Sequence, residues 1–267
     1  MSNGSAEKKL KAMREGGHKL GRILAVLLEV AQPGVRLNAI ETMATELIGK
    51  TGGTPSFQTV KGYSWATCLC VNEAVVHGVP SDVLLTEGDI LTIDVGLLYK
   101  GFHTDTAWTT LISNIKHQIS NIQIKNQKVE EKEKFLRVGE EALKKAIEQA
   151  RVGNRVGHIS QVIQETIEGA GYHIVHSLVG HGVGKKLHEE PQIPGFLKKR
   201  DLAKTPELHA GMTLAIEVIY ARGSGGVTYE SADGWTIKTS DKSDSAVFEH
   251  TITVTSDNPV ILTARTN

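Results

Sequence analysis

Cysteine is nearly missing: Cys68 and Cys70 are the only two in 267 residues. That excludes a disulfide-built scaffold, and their close spacing disfavours a bond between them. Cys-x-Cys is half of a structural zinc site, but no second pair completes it. Two reduced, part-buried thiols are the simpler reading, and a reducing cytoplasm suits them. An excess of one charge is missing as well. Lys plus Arg and Asp plus Glu number 30 each, for a formal net charge of zero. No broad surface for nucleic acid or membrane is indicated. Long apolar runs are absent too. The longest, near Ile23–Val30, is interrupted by Glu29 and is far too short to span a bilayer. The opening MSNGSAEKKLKAMREGG has no apolar signal-peptide core.

What the sequence does have is helical periodicity, twice. Leu20, Leu24, Leu27 and Leu28 keep helical spacing up to Pro33-Gly34. Asn38 with Glu41 three residues later predicts a capping box for a second helix, ending at Gly52-Gly53. A charged amphipathic helix is expected over Glu130–Ala150, and another over about Ile159–Ala170. Gly34, Arg36, Ile40, Glu46, Ile48 and Gly52 each stand 119 residues before the same residue type, at Gly153, Arg155, Ile159, Glu165, Ile167 and Gly171. This suggests a duplicated helix-helix-strand unit. Strand-like segments follow each helix pair: Trp65–Val76, Ile90–Leu98 and Phe102–Leu111, then His173–Val179, Met212–Tyr220 and His250–Val254. The expectation is α+β, one domain over residues 1–267, with helices covering one side of a mainly antiparallel sheet. Residues 1–11 are expected to form a flexible tail. Asn114–Gln127, rich in Asn, Gln, Ile and Lys, is expected to be a peripheral insertion.

Chemistry enters through acids in apolar strands. In DILTIDVGLLYKGFHTDT, a tight turn near Tyr99-Lys100-Gly101 brings Asp94 and Asp105 onto one sheet face. Two inward carboxylates are costly unless a cation or proton lies between them. A solvated face with ordinary surface aspartates is the competing reading. LVGHGVGKKLHEEP sets His181 among glycines, with His188 seven residues on. That spacing is not the helical His-x-x-x-His zinc pattern. In GMTLAIEVIY and SAVFEHTITVT, Glu217 and Glu249 interrupt strands. Edge positions account for one such acid but poorly for four and a histidine. Asp94, Asp105, His181, Glu217 and Glu249 form a set that suits two divalent first-row cations, which activate water and polarise a carbonyl.

The blocks NEAVVHGVP, DVGLLYKGFHTDT, GHGVGKKLHEEP, GMTLAIE and FEHTITVT, in this order and spacing, resemble the signature blocks of methionine aminopeptidases of type I. The resemblance runs from about Arg14 to Val254. It implies the pita-bread fold, a pseudo-two-fold α+β domain. It also implies removal of the initiator methionine from nascent proteins when the second residue is small. By motif position it puts the metal ligands on Asp94, Asp105, His181, Glu217 and Glu249, for two cations of cobalt, manganese, iron or zinc. It assigns His188 to the scissile amide and His77 to the substrate's N-terminus and proton transfer. Glu217 is given a second role as a proton shuttle. It lines the methionine pocket with Tyr63, Cys68, Leu187 and Trp235. Leu187 stands where phenylalanine is frequent, Ser64 where proline is, and Cys70 where serine is. The 28 residues between His188 and Glu217 leave no room for the helical insertion of type II enzymes. The implied partners are peptide and nascent-chain N-termini, with a transient ribosome contact compatible, no specific nucleic acid, no membrane and a monomeric cytoplasmic protein. Proline-specific peptidases of the same fold are the runner-up; they carry a large N-terminal domain. A catalytically dead binding module would show a lost ligand. A generic metal-binding structural protein leaves His77 and His188 without a purpose.

Overall fold

The computed structural model describes residues 3–113, 127–198, 201–230 and 232–265. The Asn114–Gln127 insertion lies outside the described residues except for Gln127. Among the described residues there are four α-helices: α1 (Asn3–Val30), α2 (Leu37–Lys50), α3 (Gln127–Gln149) and α4 (Val156–Gly169). The segment expected to be a flexible tail over residues 1–11 is helical from Asn3 onward. Helix α1 buries Met13, Leu20, Leu24 and Leu27 completely. Gly17 and Gly21 in the same helix admit the chain near the C-terminus. A Cβ there would lie 2.5 Å from the Leu262 carbonyl oxygen and 2.3 Å from that of Ala264. Glycine weakens a helix by about 1 kcal/mol relative to alanine, and close approach of another backbone offsets that cost.

The duplication is visible in the helix limits. α2 and α4 begin and end 119 residues apart, and so do the ends of α1 and α3. Gly34 and Gly153 both take φ near +90°, at +89° and +90°. Ile40, Ile48, Ile159 and Ile167 are fully buried.

The capping box expected from Asn38 and Glu41 does not form. Arg36 is the N-cap and its side chain makes no capping bond. The first free N–H groups of α2 are met by a neighbouring loop instead, with Leu37 N donating to Val83 O and Asn38 N to Ser81 O. Glu41 turns away from its own helix. It accepts from Ala66 N (2.7 Å), Thr67 N (3.0 Å) and Thr67 Oγ1 (2.6 Å), and so pins the start of a strand. Three charge-assisted bonds outweigh one local cap.

The first half carries β1 (Thr54–Pro55), β2 (Thr67–Val71), β3 (Ala74–Val76), β4 (Ile90–Tyr99) and β5 (Phe102–Leu111). The second carries β6 (His173–Ile174), β7 (Val179–Gly182), β8 (Glu189–Pro194), β9 (Thr213–Ala221), β10 (Val227–Tyr229), β11 (Ile237–Thr239), β12 (Ser245–Thr253) and β13 (Val260–Ile261). They form three sheets: β1, β2 and β5 around β4; β10-β11-β3; and β13-β12-β9-β7-β8 with β6 on β9. Each pairing is antiparallel.

Each half has its own apolar core, one built on Leu20, Leu24, Ile40 and Ile93, the other on Phe135, Ile163, Ile216 and Phe248. Trp108 of β5 packs against both. At the centre, β5 and β12 belong to different sheets and are bridged by threonine side chains. Thr251 Oγ1 accepts from Asp105 N and donates to Asp105 O, both at 2.8 Å. Thr106 Oγ1 donates to Glu249 O, and Thr109 Oγ1 donates to Val247 O while accepting from Val247 N. Among the described residues no helix is long and apolar enough to cross a membrane.

Candidate metal centre and substrate cavity

The β4–β5 hairpin turns on Lys100 and Gly101, both with positive φ (+50° and +80°), which closes a two-residue turn between Tyr99 and Phe102. Asp94 then lies opposite Ala107, and Asp105 opposite Gly96. The two acids are diagonal neighbours on one face, close enough for the Asp105 charge to raise the Asp94 pKa. In the other half, Glu217 of β9 faces Glu249 of β12 directly.

These four acids converge with His181. Asp105, His181 and Glu249 each offer a ligand atom within 4.8 Å of the others, and all three are buried. His181 Nε2 lies 3.6 Å from Glu217 Oε1. The ring's other nitrogen, Nδ1, is 2.8 Å from the Gly182 carbonyl oxygen. A carbonyl only accepts, so Nδ1 carries the proton and the Nε2 lone pair points at the acids. Burial lowers the His181 pKa to about 4, so the ring is neutral near pH 7.

The donor set fits divalent cations. Asp94 Oδ1 and Glu249 Oε1 are buried without a hydrogen-bond partner among the described residues. Such orphaned oxygens are costly unless a cation or proton meets them. Burial, then Asp105 and Glu217, push Asp94 well above the carboxylate range. Burial raises Asp105 to about 7. Burial, then Asp105, raise Glu217 to about 8. Glu249 goes up for the same two reasons, with Glu217 and Asp94 adding to them. Four acids forced toward protonation beside one neutral imidazole make a site that a hard or borderline cation relieves.

A cavity of about 170 Å³ opens onto this cluster. It is lined by Asp94, Asp105, His181, Glu217 and Glu249, together with His77 and His188. Tyr63, Cys68, Leu187 and Trp235 line it as well. Every residue that the sequence assigned to the metal, the substrate or proton transfer therefore lines one space, whereas Ser64 and Cys70 do not. Tyr63 and Trp235 meet edge to face at 5.1 Å, and Tyr63 OH donates to the Thr67 carbonyl oxygen at 2.8 Å. The His181 and His188 rings meet at 4.4 Å. Burial, then His188, lower the His77 pKa. Burial lowers that of His188. Phe57, Val60 and Val76 also line the cavity, and sequence reasoning missed them. They are apolar wall residues without reactive groups; the one available signal for Phe57 was its place in an aromatic-rich stretch with Tyr63 and Trp65. Cys68 and Cys70 are both free and buried.

Residues 11–256 match the model of metallopeptidase family M24. The chain is 39% identical to a methionine aminopeptidase of Clostridium perfringens over 257 residues, covering 96% of each chain. It is 38% identical to methionine aminopeptidase 1 of Bacillus subtilis over 256 residues, again covering 96% of each. The crystal structure of a methionine aminopeptidase from Thermotoga maritima superposes with a TM-score of 0.87 at 36% identity, over 96% of this chain and 97% of that one. A prolidase from Pyrococcus furiosus shares the pita-bread fold at a TM-score of 0.73, with 22% identity over 97% of this chain but 65% of its own. With relatives of this extent along nearly all of its length, the protein belongs to metallopeptidase family M24, among the methionine aminopeptidases.

Proposed function

We propose that this protein removes the initiator methionine from nascent chains whose second residue is small. One observation carries the reading: the acid cluster and a set of apolar and aromatic side chains line a single cavity of amino-acid size. Asp94, Asp105, His181, Glu217 and Glu249 would hold two divalent cations, of cobalt, manganese, iron or zinc. When bound, such a pair supplies Lewis acidity that activates water and polarises the scissile carbonyl.

The remaining work falls to side chains. Tyr63, Cys68, Leu187 and Trp235, with Phe57 and Val60, seat the methionine side chain against apolar and edge-on aromatic surface. His188, beside His181, donates to the scissile amide and stabilises charge that grows as the bond breaks. His77 stands by the substrate's N-terminus and takes part in proton transfer, and Glu217 moves a proton between water and leaving amine. Beyond His181 and His188 a wider trough runs past Val179, Lys186, Glu190 and Gln192, which suits the departing polypeptide. His77 and His188 crowd the residue next to the scissile bond, which disfavours large ones there. The cytoplasm is the compartment that suits this role, with the enzyme monomeric, in transient contact with the ribosome and without a nucleic-acid or membrane partner. One domain spanning residues 1–267, with the 114–127 segment peripheral, completes the reading.

A peptide series Met-X-Lys, with X as Gly, Ala, Ser, Leu, Phe and Lys, tests the reading. Turnover should be high for the first three and very low for the last three. Comparable cleavage of Met-Leu and Met-Ala peptides would refute the small-neighbour rule, and cleavage of Gly-Pro instead of Met-Gly would favour a proline-specific enzyme.

A further inference from the structure

His77 has an unusual backbone. Its φ is +56°, in the left-handed region that residues with a Cβ seldom occupy. Such a conformation persists only when the surroundings hold it, and here they do so from two sides. On one side Gly78 N donates to Cys70 Sγ at 3.3 Å. On the other, Val79 N donates to Thr236 Oγ1 at 3.3 Å. The Thr236 hydroxyl has a single proton, and the 2.6 Å approach to Asp233 Oδ2 takes it. Its lone pairs are thereby left for the amide. The second oxygen of Asp233 accepts from Trp235 N and Thr236 N, each at 2.8 Å. Both amides that follow His77 are therefore met by acceptors on separate parts of the chain, one on β2 and one just before β11.

The fit leaves no slack. Leu69 N donates to Gly78 O at 2.8 Å. A Cβ on Gly78 would lie 2.3 Å from the Leu69 carbonyl oxygen. Cys70 and Thr236 are buried at 2% and 5% exposure, so water does not compete for these bonds. Burial pushes the Cys70 thiol up to about 12, which keeps it neutral and a weak acceptor. Serine, frequent at this position in the resemblance, offers the same acceptor role.

We propose that Cys70 and the Asp233–Thr236 pair are positioning residues that aim His77 at the substrate's N-terminus. Because Asp233 also fixes Trp235, the methionine-pocket wall and His77 rest on one carboxylate. The inference depends on the role given to His77 above. It separates from a merely structural role, since a structural bond would matter whether or not the imidazole is present.

The test uses the metal-loaded full chain and the substrate Met-Ala-Lys. Thr236→Val and Cys70→Ala should each lower kcat about tenfold while KM stays within about twofold. Thr236→Ser and Cys70→Ser keep an acceptor and should restore wild-type kcat. In a His77→Ala background the first two substitutions should add nothing, since their effect travels through the missing ring. The imidazole NMR resonance of His77 gives a readout without turnover: it should shift in Thr236→Val and Cys70→Ala and stay in place in the serine variants. Equal losses of kcat with and without the His77 ring, or an unmoved resonance, would overturn the positioning role alone. Wild-type turnover in His77→Ala would remove the role of His77 itself and the positioning claim with it.

Discussion

The two halves of the molecule share a helical frame and differ in how their strands connect. In the first half a two-residue turn joins β4 to β5, and its acids lie diagonally. In the second half residues 222–244 separate β9 from β12, and its acids lie face to face. That excursion contains β10, β11, Asp233 and Trp235. The first connection is too short to add anything to the cavity, whereas the second brings Trp235 to it. The paired strands thus supply the acids, and this excursion adds one aromatic residue to an apolar wall otherwise built by Phe57, Val60, Tyr63, Cys68 and Leu187.

Removing one acid from each half should have the largest effect. Asp105→Asn and Glu249→Gln should each cost metal and more than about 100-fold in kcat/KM, since even residues that only support ligands cost 10–100-fold. Metal content by elemental analysis and peptide turnover check this, and a variant with full metal and near-normal turnover would remove that half's acid from the ligand set. In chelator, the Asp105 charge is the one that bears on Asp94, Glu217 and Glu249, so Asp105→Asn should raise the metal-free Tm more than Glu249→Gln.

His188→Ala should come next, with a loss of about 100-fold in kcat, a KM change of a few-fold and unchanged metal content. Loss of metal instead would place His188 among the ligands.

The α2 and α4 anchors allow a comparison on stability. Glu41 accepts three bonds from Ala66 and Thr67. Arg155, its counterpart as an anchor, donates to Thr205 O and pairs with the half-exposed Glu207. Glu41→Ala should cost about 2–4 kcal/mol and Arg155→Ala about 1 kcal/mol in urea unfolding. Equal costs would mean that the two halves are anchored alike.

Titration of the metal-free protein should give a smaller effect with a definite sign. Asp105 and Glu217 are raised to about 7 and about 8 in the fold. Unfolded carboxylates titrate near ~4. The native state then holds protons that the unfolded state releases, so the contribution of these two acids to stability is full below pH ~4 and is lost as pH rises through about 8. Tm in chelator should fall by a few degrees over that window, and Glu217→Gln should flatten the stretch above pH 7 more than Asp105→Asn does. The smallest effect is expected from exchanging residues 114–126, between β5 and α3, for a short linker. Tripeptide turnover should be unchanged, while a loss confined to ribosome-bound chains would make the segment a docking element.

Much of this was legible because its signals are local. Apolar spacing set α1 through Leu20 and Leu28, the charged amphipathic pattern set the second pair of helices, and the matching residues 119 apart suggested that the two pairs are duplicates. Each acid betrayed itself by interrupting an apolar strand. What was hidden depends on partners distant in sequence. Asn38 and Glu41 have the spacing of a cap, yet Glu41 is claimed by Ala66 and Thr67, and Ser81 and Val83 meet the helix start. The polar opening of α1 reads as a tail because it has no apolar face: residues 4–8 are exposed, and burial in this helix begins at Ala12 and Met13. Phe57 and Val60 lack chemistry, so only the folded cavity distinguishes them from ordinary core residues.

The excursion between β9 and β12 leaves the sheet at Ala221 and returns at Ser245, which are paired with each other. Three rungs of ladder then lie between that exit and the Glu217–Glu249 rung. In terms of descent, this is a cassette with a closed base. Exchanges within it that keep Asp233 and Thr236, which hold the backbone after His77, stop short of the Glu217–Glu249 rung. A lineage built on this frame can therefore vary the cavity wall at Trp235 while passing on the same acids.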